Sequence, residues 1–438
     1  MRISKATCPA WLVIFAAFVV CHVALFIRPV FLNSDRDMHF PKYVSKIAPI
    51  GCDLRYMLSY SQSWMSGNTP YIGDNLYPPL SAVFFSPLAL LDERFAYAIM
   101  TATTLLAFLA AIIWAPFLVF KRPEIKSFLP VAILGLLSYG LQFEIERGQF
   151  NVIAGSLALL AVCLFHAERR IPRIVPYLIF VIAVQLKVYP AIFVLAFVRP
   201  ADRWSRVLSR WVLLGVVNVG CLVALGPRVF VDFLGAIRAH MIQPYCWIGN
   251  HSLRSFVWVL ERTRLADYSA RIGTIMLVAI VLAFSLTLYV LVRRRPERSL
   301  PYFVLTATCV ALILPAVSHD YTLPLLAMAY VLFVAGWPDM RVDTGRDLSR
   351  IGLFFALSVS VFWTFSSYVY KSDSIYILKN NFLPILSALV MTSLLSWTEH
   401  VPCTSDTARS NTDSPAELRP RRKSWLRSHD RKDAAKTL

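Results

Sequence analysis

Residues 95–120 read FAYAIMTATTLLAFLAAIIWAPFLVF and carry no charged side chain, and Lys121 and Arg122 follow them at once. A helix needs about 20 mostly apolar residues to cross a bilayer. Lys and Arg collect in the cytoplasmic loops beside such helices. The stretch therefore predicts a transmembrane helix whose carboxyl end lies at the cytoplasmic face.

The composition extends this prediction to the whole chain. Of its 438 residues, 57% are hydrophobic and 16% are charged, and the mean hydropathy is +0.58. A soluble protein of this length carries more charge. The formal net charge of +18 is spread over short basic clusters between apolar runs, which is typical of cytoplasmic loops and argues against a nucleic-acid partner. We therefore predict an all-α polytopic membrane protein.

Further apolar runs predict the remaining spans, which are Trp11–Ile27, Phe128–Phe143, Val152–Phe165, Trp211–Leu225, Ile272–Val292, Tyr302–Val317, Thr322–Trp337, Ile351–Tyr370 and Phe382–Trp397. The basic clusters agree with one topology, in which both termini are cytoplasmic and Glu144–Asn151 is a short outer turn. We predict one transmembrane domain over residues 1–397. Residues 398–438 are predicted to form a basic cytoplasmic tail without fixed structure.

Several segments depart from plain spans. Ile174–Phe197 has basic clusters at both ends but is too short for two crossings, and Lys187 and Pro190 interrupt it. A re-entrant helical pair or two short tilted helices would satisfy this pattern. The outer loops at residues 33–93 and 226–270 are expected to carry juxtamembrane helices, among them Leu80–Leu91.

The first outer loop contains the most distinctive polar segment, GCDLRYMLSYSQSWMSGNTPYIGDNLYPPLSAVFFSP at residues 51–87. Asp53 begins a predicted amphipathic helix that Gly67 ends, with Tyr56, Tyr60 and Trp64 near one face. Because Tyr and Trp prefer the headgroup layer, Asp53 is expected at the depth of a lipid headgroup. On this local pattern, Asp53 could be a catalytic carboxylate or could simply cap the helix.

Lys187 and His319 are candidates for binding an anion. A Lys at membrane depth is energetically expensive and is by default functional, although its side chain could instead extend toward the interface. His319, in a predicted outer turn, could donate to a phosphate or a sugar, or could be incidental.

The remaining polar candidates each have a structural alternative. Gln149 and Asn151, beside Arg147, could bind sugar hydroxyls or could only satisfy the backbone of a turn. His251 precedes an amphipathic run, Leu253–Arg262, which could cover a site or only rest on the membrane surface.

Metal and disulfide signals are weak. Asp35 and Asp37 form a D-x-D pair, but no further ligand and no nucleotide-binding pattern accompany it, so a solvated loop is favoured and no metal or cofactor is expected. Cys52 and Cys246 both fall in predicted outer loops, and a disulfide between them is possible although no other cysteine shows a pairing pattern.

Several motifs resemble one family when they are taken in order. The first is the ordered pattern D-x-x-Y…G…Y…Y-P-P-L…P-L, which begins at Asp53. It is followed by Gly148-Gln149-Phe150-Asn151, Lys187-Val188-Tyr189-Pro190, Asn250-His251-Ser252-Leu253 and His319-Asp320-Tyr321. This order resembles the polyprenyl-phosphate-sugar-dependent glycosyltransferases of the GT-C class, and most of all the bacterial α-mannosyltransferase family 87, which also contains arabinosyltransferases. The resemblance runs from about Trp11 to Trp337.

The resemblance implies a fold and a reaction. It implies a GT-C-type transmembrane helix bundle in the plasma membrane with long extracytoplasmic loops. The sugar, which the resemblance implies to be mannose, would pass from a polyprenyl-phosphate donor to a glycolipid or glycan hydroxyl on the extracytoplasmic face. Asp53 would be the general base, and a single base suits inversion. The predicted substrate-binding residues are Tyr56, Arg147, Gln149, Asn151, Lys187, His251 and His319.

Two other functions remain open at the level of sequence. A transporter or flippase of lipid-linked sugars would bind the same headgroup without transferring the sugar. A non-catalytic membrane scaffold would leave Lys187 without a function.

Overall fold

The structure is a computed structural model, and it describes residues 50–120, 123, 125–136, 138–167, 172–200, 202–242 and 250–336. The predicted first span, the two predicted spans after residue 350 and the basic tail lie outside the described residues. Asp35, Asp37 and Cys246 also lie outside them, so neither the D-x-D pair nor the possible disulfide of Cys52 is described.

Within the described ranges, the regular structure is helical. The α-helices are α1 (Cys52–Met65), α2 (Leu80–Ala89), α3 (Glu93–Val119), α4 (Ile125–Leu136), α5 (Tyr139–Arg147), α6 (Asn151–His166), α7 (Val175–Leu186), α8 (Trp204–Val223), α9 (Pro227–Ile242), α10 (Leu253–Leu260), α11 (Ser269–Arg293), α12 (Pro296–Ile313) and α13 (Pro324–Ala335). Short 3-10 helices are Tyr189–Ala196, Ala266–Tyr268 and Asp320–Thr322. The prediction of an all-α chain is confirmed.

Several helices have the length and composition of membrane spans. In the described part of the chain they are α3, α8 and the run Ala266–Arg293, which joins a 3-10 turn to α11. The 27 residues of α3 extend over about 40 Å at 1.5 Å per residue, more than the hydrocarbon thickness. These helices identify a membrane protein. Both α8 and α12 begin earlier than predicted, because their first turns contain charged residues that a hydropathy criterion excludes.

The centre of the bundle is formed by helices that are apolar on every side. All of α13 is buried, and it packs against α4 and α12. The neighbouring α6 packs against α3 and α7. A helix that is hydrophobic all round belongs inside a bundle. By contrast, α8 and α11 expose apolar side chains such as Val216 and Ile275, which suits contact with lipid.

The segment 174–197 is interrupted where the sequence predicts. Helix α7 ends at Leu186, Lys187 has an extended backbone with φ −145° and ψ 144°, and a 3-10 helix begins at Tyr189. Pro190 cannot continue a regular helix, because it lacks the backbone N–H group. Two short helices therefore meet at Lys187, in agreement with the expectation of an interrupted pair.

The prediction of one helix at Phe128–Phe143 is wrong, and the turn predicted at Glu144–Asn151 is shorter than expected, because it covers only residues 148–150. Helix α4 ends at Leu136, and α5 begins after Ser138 and continues through Glu144 to Arg147. A bend of 118° then separates α5 from α6. Gly148, with φ 66°, supplies the left-handed residue that ends α5.

Glu144 fixes this bend. Its carboxylate is buried and accepts hydrogen bonds from the backbone N–H of Val152 at 2.9 Å and from Nδ2 of Asn151 at 2.8 Å. Both donors lie in the first turn of α6, where unpaired N–H groups favour a negative charge. The polar residues that looked like a solvated turn are therefore the contact between two helices.

The start of α1 docks on the same bend. The N–H of Gly51 donates to the carbonyl of Glu146 at 2.7 Å. A Cβ atom added at Gly148 would lie 2.8 Å from Cβ of Leu54 and 3.4 Å from Cα of Gly51. Only a glycine at position 148 lets α1 approach so closely.

We expect Gly148→Ala to destabilise the protein more than Gly67→Ala. Both glycines have positive φ, and a left-handed L-residue costs about 1–2 kcal/mol at either site. Only position 148 also has a steric contact, because a Cβ at Gly67 would meet nothing within 4 Å, and overpacking typically costs about 1–3 kcal/mol. Apparent melting temperatures in detergent measure the difference. Equal losses in the two variants would contradict the close docking of α1.

Candidate functional site

Asp53 lies in the first turn of α1, and its carboxylate is held by side chains from the bend. Gly51 occupies the N-cap position, and no side chain caps the helix. Oδ2 of Asp53 accepts a hydrogen bond from Nε2 of Gln149 at 2.7 Å. Oδ1 lies 4.0 Å from Nη1 of Arg147. The side chain is 23% exposed, so the carboxylate is oriented internally and remains reachable from outside.

Gln149 connects Asp53 to a buried cation. Its Oε1 accepts a hydrogen bond from Nζ of Lys187 at 3.0 Å, while its Nε2 donates to Asp53. The hydroxyl of Tyr77 lies 3.3–3.4 Å from both ends of this amide. The Gln149 amide therefore accepts a hydrogen bond from the ammonium group of Lys187 and donates one to the carboxylate of Asp53.

Lys187 sits in an aromatic enclosure at the break after α7. It is buried, and its Nζ lies 4.3 Å from the ring centroids of both Tyr77 and Phe150. Cation–π attraction is stronger in such a desolvated position than at an exposed one. In this arrangement the ammonium group points inward to Gln149, so it does not extend along the surface toward an interface.

Arg147 approaches Asp53 from the end of α5. Its Nη1 donates to Sγ of Cys52 at 2.7 Å, and its Nε lies 3.5 Å from Oε2 of Glu146. Its guanidinium carbon lies 5.2 Å from the ring centroid of Phe143. The guanidinium group is thus fixed beside the Asp53 carboxylate by a thiol, a carboxylate and a ring.

The Cys52 thiol belongs to the same cluster. Burial, and after it the negative charge of Asp53, raises the pKa of Cys52 to about 12. The group is therefore a protonated thiol at neutral pH. It donates to Oδ1 of Asp53 at 3.3 Å while its sulfur accepts from Arg147.

A second cluster joins two segments that are far apart in sequence. Asn250 and His319 form an isolated antiparallel bridge, and the N–H of His251 donates to the carbonyl of Ser318 at 2.6 Å. The imidazole Nε2 of His251 contacts Oδ1 of Asp320 in a short hydrogen bond. Both side chains are 1% exposed, so His251 is engaged inside the protein and orients the turn at 318–320.

Tyr321 connects the two clusters. Its ring centroid lies 5.9 Å from that of Phe143 and 5.2 Å from that of His319. Burial, followed by the charges of Tyr77 and Asp53, raises the pKa of Tyr321 well above its usual value. The turn that carries His319 thus packs, through Tyr321, against Phe143 of α5.

The structure brings together only part of the predicted set. Asp53, Arg147, Gln149 and Lys187 form one connected cluster, and His319 lies beyond Tyr321. Asn151 is buried; its side chain binds Glu144 and its carbonyl accepts from Tyr189.

Tyr56 is 61% exposed and contributes no contact to this cluster in the described residues. Sequence reasoning missed Tyr77, Glu144 and Asp320 as members of the site. Tyr77 and Asp320 stood inside the quoted motifs, and their positions in Y-P-P and H-D-Y were the available signal. Glu144 gave no signal beyond its polarity.

The chain matches a known protein family. The profile of Glycosyltransferase family 87 matches residues 75–318, which is more than half of the chain. This range contains Arg147, Gln149 and Lys187 but excludes Asp53 and His319. The match confirms the predicted family, and the helices confirm the predicted all-α membrane protein. The comparison with curated proteins finds no match.

Among solved structures, the chain is similar to the crystal structure of ArnT from Cupriavidus metallidurans in the apo state. The two share 14% sequence identity with a TM-score of 0.40, and the similarity covers 89% of this chain and 75% of that chain.

The Cys52 thiol gives a direct test of the geometry around Asp53. We expect Asp53→Asn to accelerate alkylation of Cys52 by iodoacetamide at pH 9, because removing the carboxylate charge lowers the thiol pKa and increases the thiolate fraction. Mass spectrometry of the Cys52 peptide measures the rate. Asp74→Asn, which removes an exposed carboxylate from the same loop, is the control. Equal rates in the two variants would show that Asp53 does not act on this thiol.

Proposed function

The chain belongs to glycosyltransferase family 87, and we propose that it transfers a sugar from a polyprenyl-phosphate donor to a hydroxyl of a glycolipid or glycan acceptor. The resemblance in sequence favours mannose as the sugar. The observation that carries the proposal is the Asp53 carboxylate, oriented by Gln149 at 2.7 Å beside the cations Arg147 and Lys187. A transferase for lipid-linked sugars needs a base and positive charge within one site.

Asp53 acts as the general base in this reaction. A sugar hydroxyl is a weak nucleophile, and a carboxylate that accepts its proton as the new bond forms lowers the barrier by about 10²–10⁴-fold in rate. Gln149 and Cys52 bind the carboxylate through single hydrogen bonds, so oxygen lone pairs remain for the acceptor hydroxyl.

A single displacement with inversion fits the neighbouring carboxylates. A retaining double displacement would need a second, enzyme-bound nucleophile close to the first group. Glu144 is bound to the start of α6, and Glu146 lies against Nε of Arg147. Neither is presented as a nucleophile, so the acceptor hydroxyl itself attacks the sugar.

Lys187 and Arg147 supply the positive charge for the leaving phosphate. Negative charge grows on the phosphate as the glycosidic bond breaks, and fixed cations in a water-poor site stabilise that charge. The ammonium group of Lys187 has three N–H donors and gives one to Gln149. His319 is the further candidate donor, from the turn beside Tyr321.

The site faces the extracytoplasmic side in this proposal. The basic pair Lys121-Arg122 follows the end of α3, and α11 ends in Arg293 with Arg294 and Arg295 after it. Both ends are cytoplasmic by the positive-inside rule. Asp53 precedes α3 and so belongs to the opposite face, with both chain termini in the cytoplasm and the bundle in the plasma membrane.

A flippase of lipid-linked sugars is the second candidate. Broken helices around a polar site are typical of transporters, and the described part of the chain shows breaks at Gly148 and at Lys187. These breaks are consecutive in sequence, whereas a transporter places them in corresponding positions of two repeats. The arrangement favours transfer over transport.

We expect Asp53→Asn to lower sugar transfer by about 10²-fold or more, since the amide cannot accept the proton. Purified protein is incubated with labelled polyprenyl-phosphate-mannose and an acceptor extract, and Asp74→Asn serves as the control. Equal product from Asp53→Asn and wild type would remove Asp53 as the base. Lipid movement across vesicles without any product would favour the flippase.

Lys187→Met is expected to lower kcat by about 10²-fold, the loss typical of removing one charge-stabilising donor. Lys187→Arg keeps the charge, so it should recover part of this loss if the charge is what matters. Apparent melting temperatures distinguish misfolding from lost chemistry. A kcat that is unchanged in a folded Lys187→Met protein would exclude the role at the phosphate.

A further inference from the structure

An open groove of about 600 Å³ lies between α10 and α11. The described residues that line it are Leu253, Arg254, Val257, Trp258, Glu261, Ala270, Gly273, Thr274, Leu277 and Leu314. Its volume is within the usual range of small-molecule sites, about 300–1,000 Å³. Leu253, the last residue of the Asn250-His251-Ser252-Leu253 motif, lies at its edge, and none of Asp53, Arg147, Gln149 and Lys187 lines it.

The groove is amphipathic along its length. Along α10 and its C-cap residue Glu261, the side chains of Arg254, Trp258 and Glu261 follow one another at intervals of three to four residues and so form a polar and aromatic rim. Leu253 and Val257 form an adjacent apolar strip. Helix α11 approaches closely at Gly273, where an added Cβ would lie 2.5 Å from Cγ2 of Val257.

The rim presents rigid and hydrogen-bonding groups together. The guanidinium carbon of Arg262 lies 3.5 Å from the ring centroid of Trp258, which fixes the indole ring while part of it lines the groove. Arg254 is exposed, and its Nη1 donates to the carbonyl of Met241 at 2.7 Å. Glu261 is exposed as well, so the rim offers one cation and one anion.

One end of the groove adjoins the paired segments that carry His251 and His319. Helix α10 begins directly after Ser252, whose Oγ accepts from the N–H of Ser255 at 3.1 Å. The preceding Asn250 accepts from the N–H of Ser318 at 2.9 Å and donates to the carbonyl of Ala316 at 2.8 Å. Leu253 and Leu314 therefore flank the paired segments that carry His251 and His319.

We propose that this groove binds the saccharide part of the glycolipid acceptor, an inference that rests on the proposed function. The C–H face of a pyranose ring packs against the indole of Trp258, while Glu261 and Arg254 bind its hydroxyls. The apolar residues Leu277 and Leu314 accommodate the start of the lipid chain. An amphipathic ligand matches a groove with one apolar strip and one polar rim.

The charge of the rim favours the acceptor over the donor. A donor carries a phosphate and requires an excess of positive charge, as Lys187 and Arg147 provide beside Asp53. The groove lining instead pairs one cation, Arg254, with one anion, Glu261, and the neighbouring cation Arg262 stacks on the ring of Trp258. A neutral polyhydroxylated ligand uses the lining cation and anion as hydrogen-bonding groups.

Binding of a radiolabelled octyl dimannoside to the full-length Asp53→Asn protein in nanodiscs tests the proposal, because this protein should not consume the probe. We expect Trp258→Leu to raise the Kd about tenfold or more and Glu261→Gln to raise it severalfold. Asp267→Asn, an exposed carboxylate outside the groove lining, should leave it unchanged. Binding of polyprenyl phosphate should be unchanged in all three.

Several outcomes would overturn the proposal. Dimannoside binding that is unchanged in both groove variants would do so, as would an equal weakening of that binding by Asp267→Asn. Two further contrary results are displacement of the dimannoside by octanol as effective as by unlabelled octyl dimannoside, and a loss of polyprenyl-phosphate binding in the groove variants. If Trp258→Leu fails to fold, Glu261→Gln decides alone, because its side chain is exposed.

Turnover separates this proposal from the proposed function. For the turnover measurements the groove variants are made in the wild-type protein, which keeps Asp53. They should raise KM for the acceptor and leave KM for the donor unchanged. If wild type transfers no sugar while the groove variants still lose dimannoside binding, the proposed function fails and the groove assignment stands. If transfer is intact and both KM values are unaffected, the groove assignment alone fails.

Discussion

The buried carboxylate of Glu144 accepts hydrogen bonds from the first turn of α6, and the candidate site depends on the bend that this contact fixes. A buried carboxylate without partners is strongly unfavourable, so the contact also holds the two helices in one orientation. The bend points Arg147 and Gln149 to the same side. It creates the surface on which Gly51 and Leu54 dock, and thereby places Asp53 beside the two side chains. The first turn of α6 thus positions side chains of α5, of the bend and of α1.

Around this bend, opposite charges are held together in a region that is otherwise apolar. Lys187 between two aromatic rings and Arg147 against Phe143 are expensive groups to bury, because each loses hydration. Gln149 lowers that penalty by bonding to the cation and the carboxylate at once. Pre-orientation of this kind suits a reaction in which a proton leaves one partner while negative charge grows on another. The site lies at helix breaks. Irregular backbone of this kind is tolerated at membrane depth where the surrounding protein covers it.

Local signals were sufficient for some elements and insufficient for others. The limits of α1 follow from glycines on either side, and the break at Lys187 follows from Pro190, because these residues act on their own backbone. A turn around Gly148 was predicted, but the burial of Glu144–Arg147 was missed, since a polar run between apolar segments has the same composition whether it is solvated or packed. His251 resembled a surface ligand until its contact with Asp320 was seen. Of the candidate site, the residue types and motif order were predictable, while the pairings among them were not.

The sequence by itself determined that this is an all-helical membrane protein, which family it belongs to, and which polar residues interrupt its apolar runs. Hydropathy, basic clusters and turn residues act over short stretches of chain, so they can be read without a structure. Only the tertiary structure decided that Asp53 and Lys187 share one glutamine, that Tyr56 and Asn151 lie apart from that cluster, and that α10 and α11 enclose a groove. Those contacts join residues separated by tens of positions, and they depend on which helix faces pack together.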